Sequence, residues 1–197
     1  MSGHYFENNP VNDAKRFVIP VTFQNRSFTF YASRGVFSKK ALDDGTRLLL
    51  KVLLQETLLG PFLDLGCGYG PLGCILASFH PELDMTLVDI NERAVVDAKH
   101  NAQQLGLHLH VLVSDGFKEL TQMFAGIAFN PPIRAGKEII YDLYRQAKEH
   151  LAPNGSLYLV IRKDKGALSH VNYLQTIFAS VQLLIRDKGY HVYKAQV

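Results

Sequence analysis

Between Phe62 and Phe79 a short apolar run breaks into Asp64-Leu65-Gly66-Cys67-Gly68-Tyr69-Gly70, and helix-forming residues resume at Pro71. Glycine at every second position removes the Cβ atoms that would keep a ligand off the backbone, so the segment makes a tight strand-to-helix turn open to close approach. The rest of the chain keeps that alternation. Strands are predicted over 62–65, 85–89, 109–113, 127–129 and 157–161, and helices over 71–79, 92–105, 138–151 and near 173–178. Asn91 is a candidate N-cap and Gly106 a helix stop. Strand and helix in alternation imply an α/β fold, a mainly parallel sheet with helices on both faces. The runs 181–185 and 190–195, joined at Gly189, predict an antiparallel hairpin that closes the sheet.

Ahead of this core, 17–23 and 26–31 alternate apolar and polar residues around Gln24-Asn25, the signature of a two-residue β-hairpin. Leu42, Leu49, Leu53 and Leu54 then recur at helical spacing after Asp43-Asp44, predicting a helix to about Leu59 that Gly60-Pro61 ends. The expected organisation is one domain: residues 1–40 as a small β cap and 41–197 as its body. A chain of 197 residues, 47% of them hydrophobic, is long enough to bury one substantial core. Its apolar runs stop well short of the ~20 residues of a membrane span, and the start at Met1 lacks a secretory pattern, so no membrane is expected and the cytoplasm is the default location. Cys67, Cys74 and eight histidines fall in no metal-ligand spacing, so no metal is expected and the thiols read as packing groups. A net charge of +3 permits a polyanionic partner without establishing one.

Two cofactors compete for the glycine turn. Gly68 to Gly73 fits the dinucleotide pattern GxGxxG, and Asp89 lies about 20 residues on, where a ribose-binding acid belongs, so this region alone leaves NAD open. Asp64 favours S-adenosylmethionine, because a carboxylate directly before the glycines suits the cofactor's amino-acid part and repels a pyrophosphate. Ser114-Asp115, after the third strand of the core, can meet an adenine edge. Further on, Phe129-Asn130-Pro131-Pro132 combines a side-chain acceptor with two residues lacking backbone N–H, a setting that leaves carbonyls facing an amino group. Together the two segments point to methyl transfer onto a planar nitrogen.

Five stretches carry a family resemblance: Gly35 to Ser38, Asp64 to Gly70, Asp89 to Ala94, Asn130-Pro131-Pro132-Ile133-Arg134-Ala135-Gly136-Lys137, and Gly189 to Ala195. Over nearly its whole length the chain resembles the methyltransferase small domain of RsmC-type ribosomal RNA guanine-N2 methyltransferases. The glycine turn is common to many class I methyltransferases, whereas the Asn130–Lys137 string is far more specific. The resemblance implies a Rossmann-like, mostly parallel seven-stranded sheet with an antiparallel last strand. It implies S-adenosylmethionine lying across Asp64, Gly66, Gly68, Gly70, Asp89, Asn91, Asp115 and Asn130. It makes Asn130, with Pro131 and Pro132, the catalytic loop that accepts hydrogen bonds from the target amine. Phe37 and Lys39, and Ile133, Arg134 and Lys137, become candidate substrate contacts, and the expected partner is ribosomal RNA or the small ribosomal subunit. Ile133 departs from the aromatic residue that follows Asn-Pro-Pro in many adenine and glutamine methyltransferases; it can cover a base but offers no π face. Methylation of a tRNA base or a protein glutamine is the competing activity, and a non-catalytic RNA-binding module the competing class. Two-domain bacterial enzymes of this type carry a further N-terminal domain, so the resemblance implies no ready-made docking surface for rRNA.

Overall fold

Alternate apolar residues press one face of each N-terminal strand into the core. In a computed structural model, which describes residues 16–35 and 41–197, β1 (Phe17–Phe23) buries Ile19, Val21 and Phe23 and β2 (Arg26–Ala32) buries Phe28, Phe30 and Ala32. The strands pair antiparallel across Gln24 and Asn25, whose φ values of 43° and 63° suit the two-residue turn read from the sequence. This hairpin is a separate two-stranded sheet. Two polar residues on the buried face of α3 (Glu92–Gln104) hold it down. Asp97 accepts from Ser33 N–H (2.6 Å), Ser33 Oγ (3.0 Å) and Arg16 Nε (2.8 Å). Asn101 accepts from Tyr31 N–H and donates to the carbonyls of Tyr31 and Tyr69, each at 2.8 Å. Since Tyr69 belongs to the glycine turn, the cap and that turn share one buried amide.

The main sheet runs β5-β4-β3-β6-β7-β9-β8, formed by β3 (Pro61–Leu65), β4 (Asp84–Asp89), β5 (His110–Val113), β6 (Phe124–Phe129), β7 (Leu151–Arg162), β8 (Ser180–Asp187) and β9 (Tyr190–Gln196). β3 to β7 are mutually parallel, while β9 runs antiparallel between β7 and β8. The expected antiparallel last strand is present, and its hairpin partner β8 occupies the sheet edge. Strand alternation divides the core in two. Phe62, Met85, Leu87, Ala128 and Val160 pack with α1 (Asp44–Leu53), α2 (Pro71–Phe79), α3 and the hairpin. Leu63, Leu65, Val88, Ile127, Phe129 and Leu159 pack with α4 (Lys137–Glu149) and α5 (Ala167–Ile177). Truncating a fully buried aromatic such as Phe129 or Phe62 would cost ~3–5 kcal/mol. Among the described residues, no helix is long and apolar enough to cross a membrane.

Three elements differ most from the sequence reading. α5 begins at Ala167 instead of near 173. α1 ends at Leu53 instead of near Leu59, because Gln55 and Glu56 N–H fold back onto the carbonyls of Val52 (2.9 Å) and Leu53 (3.2 Å). Glu56 then turns sideways to Lys194 Nζ (2.6 Å) and Tyr158 Oη (3.0 Å), contacts an extended helix would forgo. β7 begins at Leu151, earlier than predicted, because Asn154 at φ 65° and Gly155 form a bulge inside the strand that reads as a turn in sequence.

Candidate active site

The carboxyl ends of β3 and β4 are tied together by backbone N–H groups. Asp64, buried on β3, accepts from Gly73 N–H at 2.9 Å. That bond draws α2 close enough that a Cβ added at Gly73 would lie 2.7 Å from Leu87, so glycine is required there for packing. Asp89 accepts from Gly68 N–H (2.8 Å) and Asn91 N–H (2.9 Å), pinning the crest of the turn to the end of β4. Gly68 has φ 57° and nothing within 4 Å of an added Cβ, so its backbone faces open space. Gly66 and Gly70 are also at positive φ. Burial pushes the Asp64 carboxyl up to about 7, opposed by the Gly73 bond and reinforced by the nearby Asp89 charge. Burial raises Asp89 as well, and the N–H groups of Asn91, Gly68 and Ile90 pull it back. Asn91 spends its side-chain oxygen capping α3, on Arg93 and Ala94 N–H. Ser114 N–H donates to the Asp89 carbonyl (3.0 Å), which brings Asp115 to the same edge, where it is exposed and pairs with Lys118.

The end of β6 is wired through side chains. Asn130 follows β6 directly, and its Nδ2 donates to Thr46 Oγ1 (3.1 Å) and Asp43 Oδ1 (3.3 Å). Asp43 also caps α1 by accepting from Thr46 N–H at 3.0 Å. An ionised carboxylate only accepts, so the atom facing Asp43 is the amide nitrogen, and Oδ1 is left as the outward acceptor. The Pro132 carbonyl is taken by Ala135 N–H (2.8 Å) in the 3₁₀ turn Ile133–Ala135. The Pro131 carbonyl has no hydrogen-bond partner among the described residues. Consecutive residues therefore offer two acceptors, and neither proline supplies a backbone donor to quench them. Ile133 is half-buried, while Arg134 and Lys137 are exposed on the turn and at the start of α4. Phe37 and Lys39 lie outside the described residues.

The structure thus brings Asp64, Gly66, Gly68, Gly70, Asp89, Asp115 and Asn130 to one sheet edge. Asp43 and Thr46 escaped the sequence reading: Asp43-Asp44 registered only as an acidic helix start, and nothing local signals a partner more than 80 residues away. Asn101 and Asp97 escaped as well, although polar residues four apart on an apolar helix face were a visible cue. Cys67 and Cys74 are free and buried, and burial pushes both thiols up. Among the described residues, no three His, Cys, Asp or Glu side chains stand close enough to hold a metal ion.

A parallel sheet with one antiparallel strand inserted next to its edge, a glycine turn braced by two carboxylates, and an Asn-Pro-Pro loop on the neighbouring strand define a Rossmann-like methyltransferase domain. The family model of the methyltransferase small domain matches residues 27–194, and the chain belongs to that family. It is 39% identical to the uncharacterized protein YbxB of Bacillus subtilis, across 100% of this chain and 99% of that protein. It is 34% identical to ribosomal RNA small subunit methyltransferase C of Photorhabdus laumondii, across 82% of this chain and 48% of the relative. Among solved structures it resembles the T. thermophilus 16S rRNA N2 methyltransferase RsmC, in complex with AdoMet and guanosine, with a TM-score of 0.83 and 26% identity. That match covers 95% of this chain and 52% of the other. The chain therefore spans about half the length of its methyltransferase C relatives and nearly all of YbxB.

Proposed function

We propose that the chain is an S-adenosylmethionine-dependent methyltransferase acting on the exocyclic amine of a guanine in small-subunit ribosomal RNA, with residues 1–40 and 41–197 working as one unit in the cytoplasm. The observation that carries this reading is the orientation of Asn130, whose amide nitrogen is held by Asp43 and Thr46 so that its oxygen serves as acceptor. The residues present fit the cofactor: Gly68 leaves backbone open, and Asp64 is a buried carboxylate to which an ammonium group brings the missing counter-charge. Asp64, Gly66, Gly68, Gly70, Asp89, Asn91 and Asp115 would hold it. When bound, it supplies an electrophilic methyl group on a sulfonium.

Asn130 Oδ1 and the Pro131 carbonyl accept the two N–H groups of the target amine. An exocyclic amine gives its lone pair to the base ring, and two fixed acceptors hold it in the geometry that turns that pair toward the methyl carbon. As positive charge grows on nitrogen, both hydrogen bonds strengthen, so the loop binds the transition state better than the ground state. No general base is needed before attack, and the released proton passes to solvent. Ile133 covers the base by apolar contact. The match to an RsmC solved with guanosine supports the choice of base.

The test is labelled methyl transfer onto naked rRNA, isolated small subunits and tRNA from cells lacking the protein, followed by nucleoside analysis. Label in N2-methylguanosine from the small-subunit RNA is expected. Label only in tRNA, or in a protein glutamine, would replace the proposed acceptor.

A further inference from the structure

Basic side chains collect at the carboxyl edge of the sheet on the far side of Asn130 from the glycine turn. β7 is parallel to β6, so Arg162 and the 3₁₀ turn Lys163–Lys165 emerge beside the catalytic loop. β8 pairs antiparallel to β9, which is antiparallel to β7, so Arg186, Asp187 and Lys188 emerge at that edge too. The two tips are joined, because Lys163 N–H donates to the Gly189 carbonyl at 2.8 Å. The gap back to the loop is closed by Lys137, whose Cε would lie 3.8 Å from a Cβ added at Gly166.

The charges along this line are unequal. Asp164 is occupied by Arg162 at 3.0 and 3.2 Å, and Asp187 is the other carboxylate on the two tips. Lys137, Lys163, Lys165, Arg186 and Lys188 are exposed and form no ion pair among the described residues. His191, between the tips, is held below its ordinary range by burial and then by the positive charges of Arg186 and Lys163. The opposite half of the edge carries the carboxyl groups of Asp64, Asp89 and Asp115, the last paired with Lys118, where the tips carry cations unpaired among the described residues.

We infer that the RNA strand carrying the target guanine runs from the catalytic loop across the carboxyl ends of β7 and β8, its phosphates meeting Lys137, Lys163, Lys165, Arg186 and Lys188. This rests on the RNA reading above and adds a direction to it. Three strand spacings separate β6 from β8, about 14 Å, room for a few nucleotides of extended strand. Single-stranded RNA suits the track because a paired guanine buries its amine inside the helix, whereas an unpaired one can be splayed into the loop while its neighbours lie along the lysines. Exposed lysines meet phosphates as point charges and read no sequence, so the track positions the strand and the loop selects the base.

The test compares Lys163→Ala/Lys165→Ala/Lys188→Ala with Lys51→Ala/Lys99→Ala/Lys148→Ala, which removes the same charge from exposed positions elsewhere. Fluorescence anisotropy with a labelled single-stranded rRNA fragment is read across a salt series, with melting temperature and S-adenosylmethionine affinity as controls. The track variant is expected to bind RNA about tenfold more weakly near 0.1 M salt and to lower the slope of log K against log salt by about 2, from ~0.7 per phosphate contact. The comparison variant should keep the wild-type slope, and both should match wild type in melting and cofactor affinity. An unchanged slope in the track variant, or an equal loss in the comparison variant, overturns the track while leaving the methyltransferase reading standing if wild type still methylates RNA. Poly-glutamate competing as well as RNA of equal charge overturns the choice of RNA. A wild-type protein that transfers no methyl group to any RNA removes both proposals.

Discussion

At the ends of β3 and β4 the chain builds with its backbone; at the end of β6 it builds with side chains borrowed from far away. Asp64 and Asp89 are satisfied by the N–H groups of Gly73, Gly68 and Asn91, all within 21 residues. Asn130 is held by Asp43 and Thr46, 87 and 84 residues distant. A cofactor is the same molecule in every turnover, so its cradle can be a stiff local motif. On the proposed reading an acceptor amine is gripped by one atom of one amide in one orientation, and that orientation is fixed only once α1, which carries Thr46, has docked on the sheet at β7 and β9. Local wiring makes the first half robust. The second half is accurate only in the folded state, and the sharpest tests fall there.

Asn130→Ala should produce the largest effect, a fall in turnover of about two to three orders of magnitude, as expected for losing one hydrogen-bonding group aimed at developing charge. S-adenosylmethionine affinity, measured by calorimetry, should be nearly intact. If the variant kept wild-type turnover, the contrast between the two halves would lose its chemical meaning.

Asp64 tests the other half through pH. Its folded-state value of about 7 lies above the ordinary 3.8, so the folded protein binds the extra proton more readily than the unfolded chain. The stabilising contribution is full below about pH 4 and is lost as pH rises toward 7, on the order of 4 kcal/mol in total. Without cofactor, urea unfolding should show stability falling across that window, and Asp64→Asn should flatten this part of the profile. Cofactor affinity should run the opposite way in wild type, rising toward pH 7 as the carboxylate ionises to meet the ammonium. A pH-independent affinity would take Asp64 out of the contact.

Thr46→Val keeps the shape of the side chain and removes the acceptor for Asn130 Nδ2. Turnover should drop about tenfold, the equivalent of one ordinary hydrogen bond, with melting temperature and cofactor affinity little changed. A merely structural Thr46 would instead lower the melting temperature and leave the rate per folded molecule alone.

The same contrast explains what could be read from the chain before its fold was known. Helix Pro71–Phe79 and the turn before it were legible to the residue, because glycine at positive φ and proline at the first helical turn are local requirements written into local sequence. The hairpin at Gln24-Asn25 was legible for the same reason. Asn130 and its prolines stood out as a motif, but the partners that aim the amide did not, since spacing along a chain carries no trace of an 84-residue contact. The end of α1 was misread because a half-buried ion pair from Glu56 to Lys194 on β9 ends the helix early. In the same way, the lysines of the β7 and β8 tips are scattered charges in sequence and become neighbours only through the register of β9.

Arg134 and Lys137 give the smallest and most discriminating effect. Both are exposed beside the acceptor loop, so replacing them with alanine should leave the fold and cofactor binding unchanged. If each meets one phosphate, the salt slope of single-stranded RNA binding should fall by about 1.4, from ~0.7 per contact, and the affinity near 0.1 M salt only a fewfold. Because screening removes this attraction, the difference from wild type should shrink as salt is raised. Methylation at saturating RNA should hardly change if these cations only hold the strand and touch neither amine nor methyl group. A large drop in saturated turnover would instead place one of them within the chemistry, and the division between holding the strand and gripping the base would fail at the loop where the two meet.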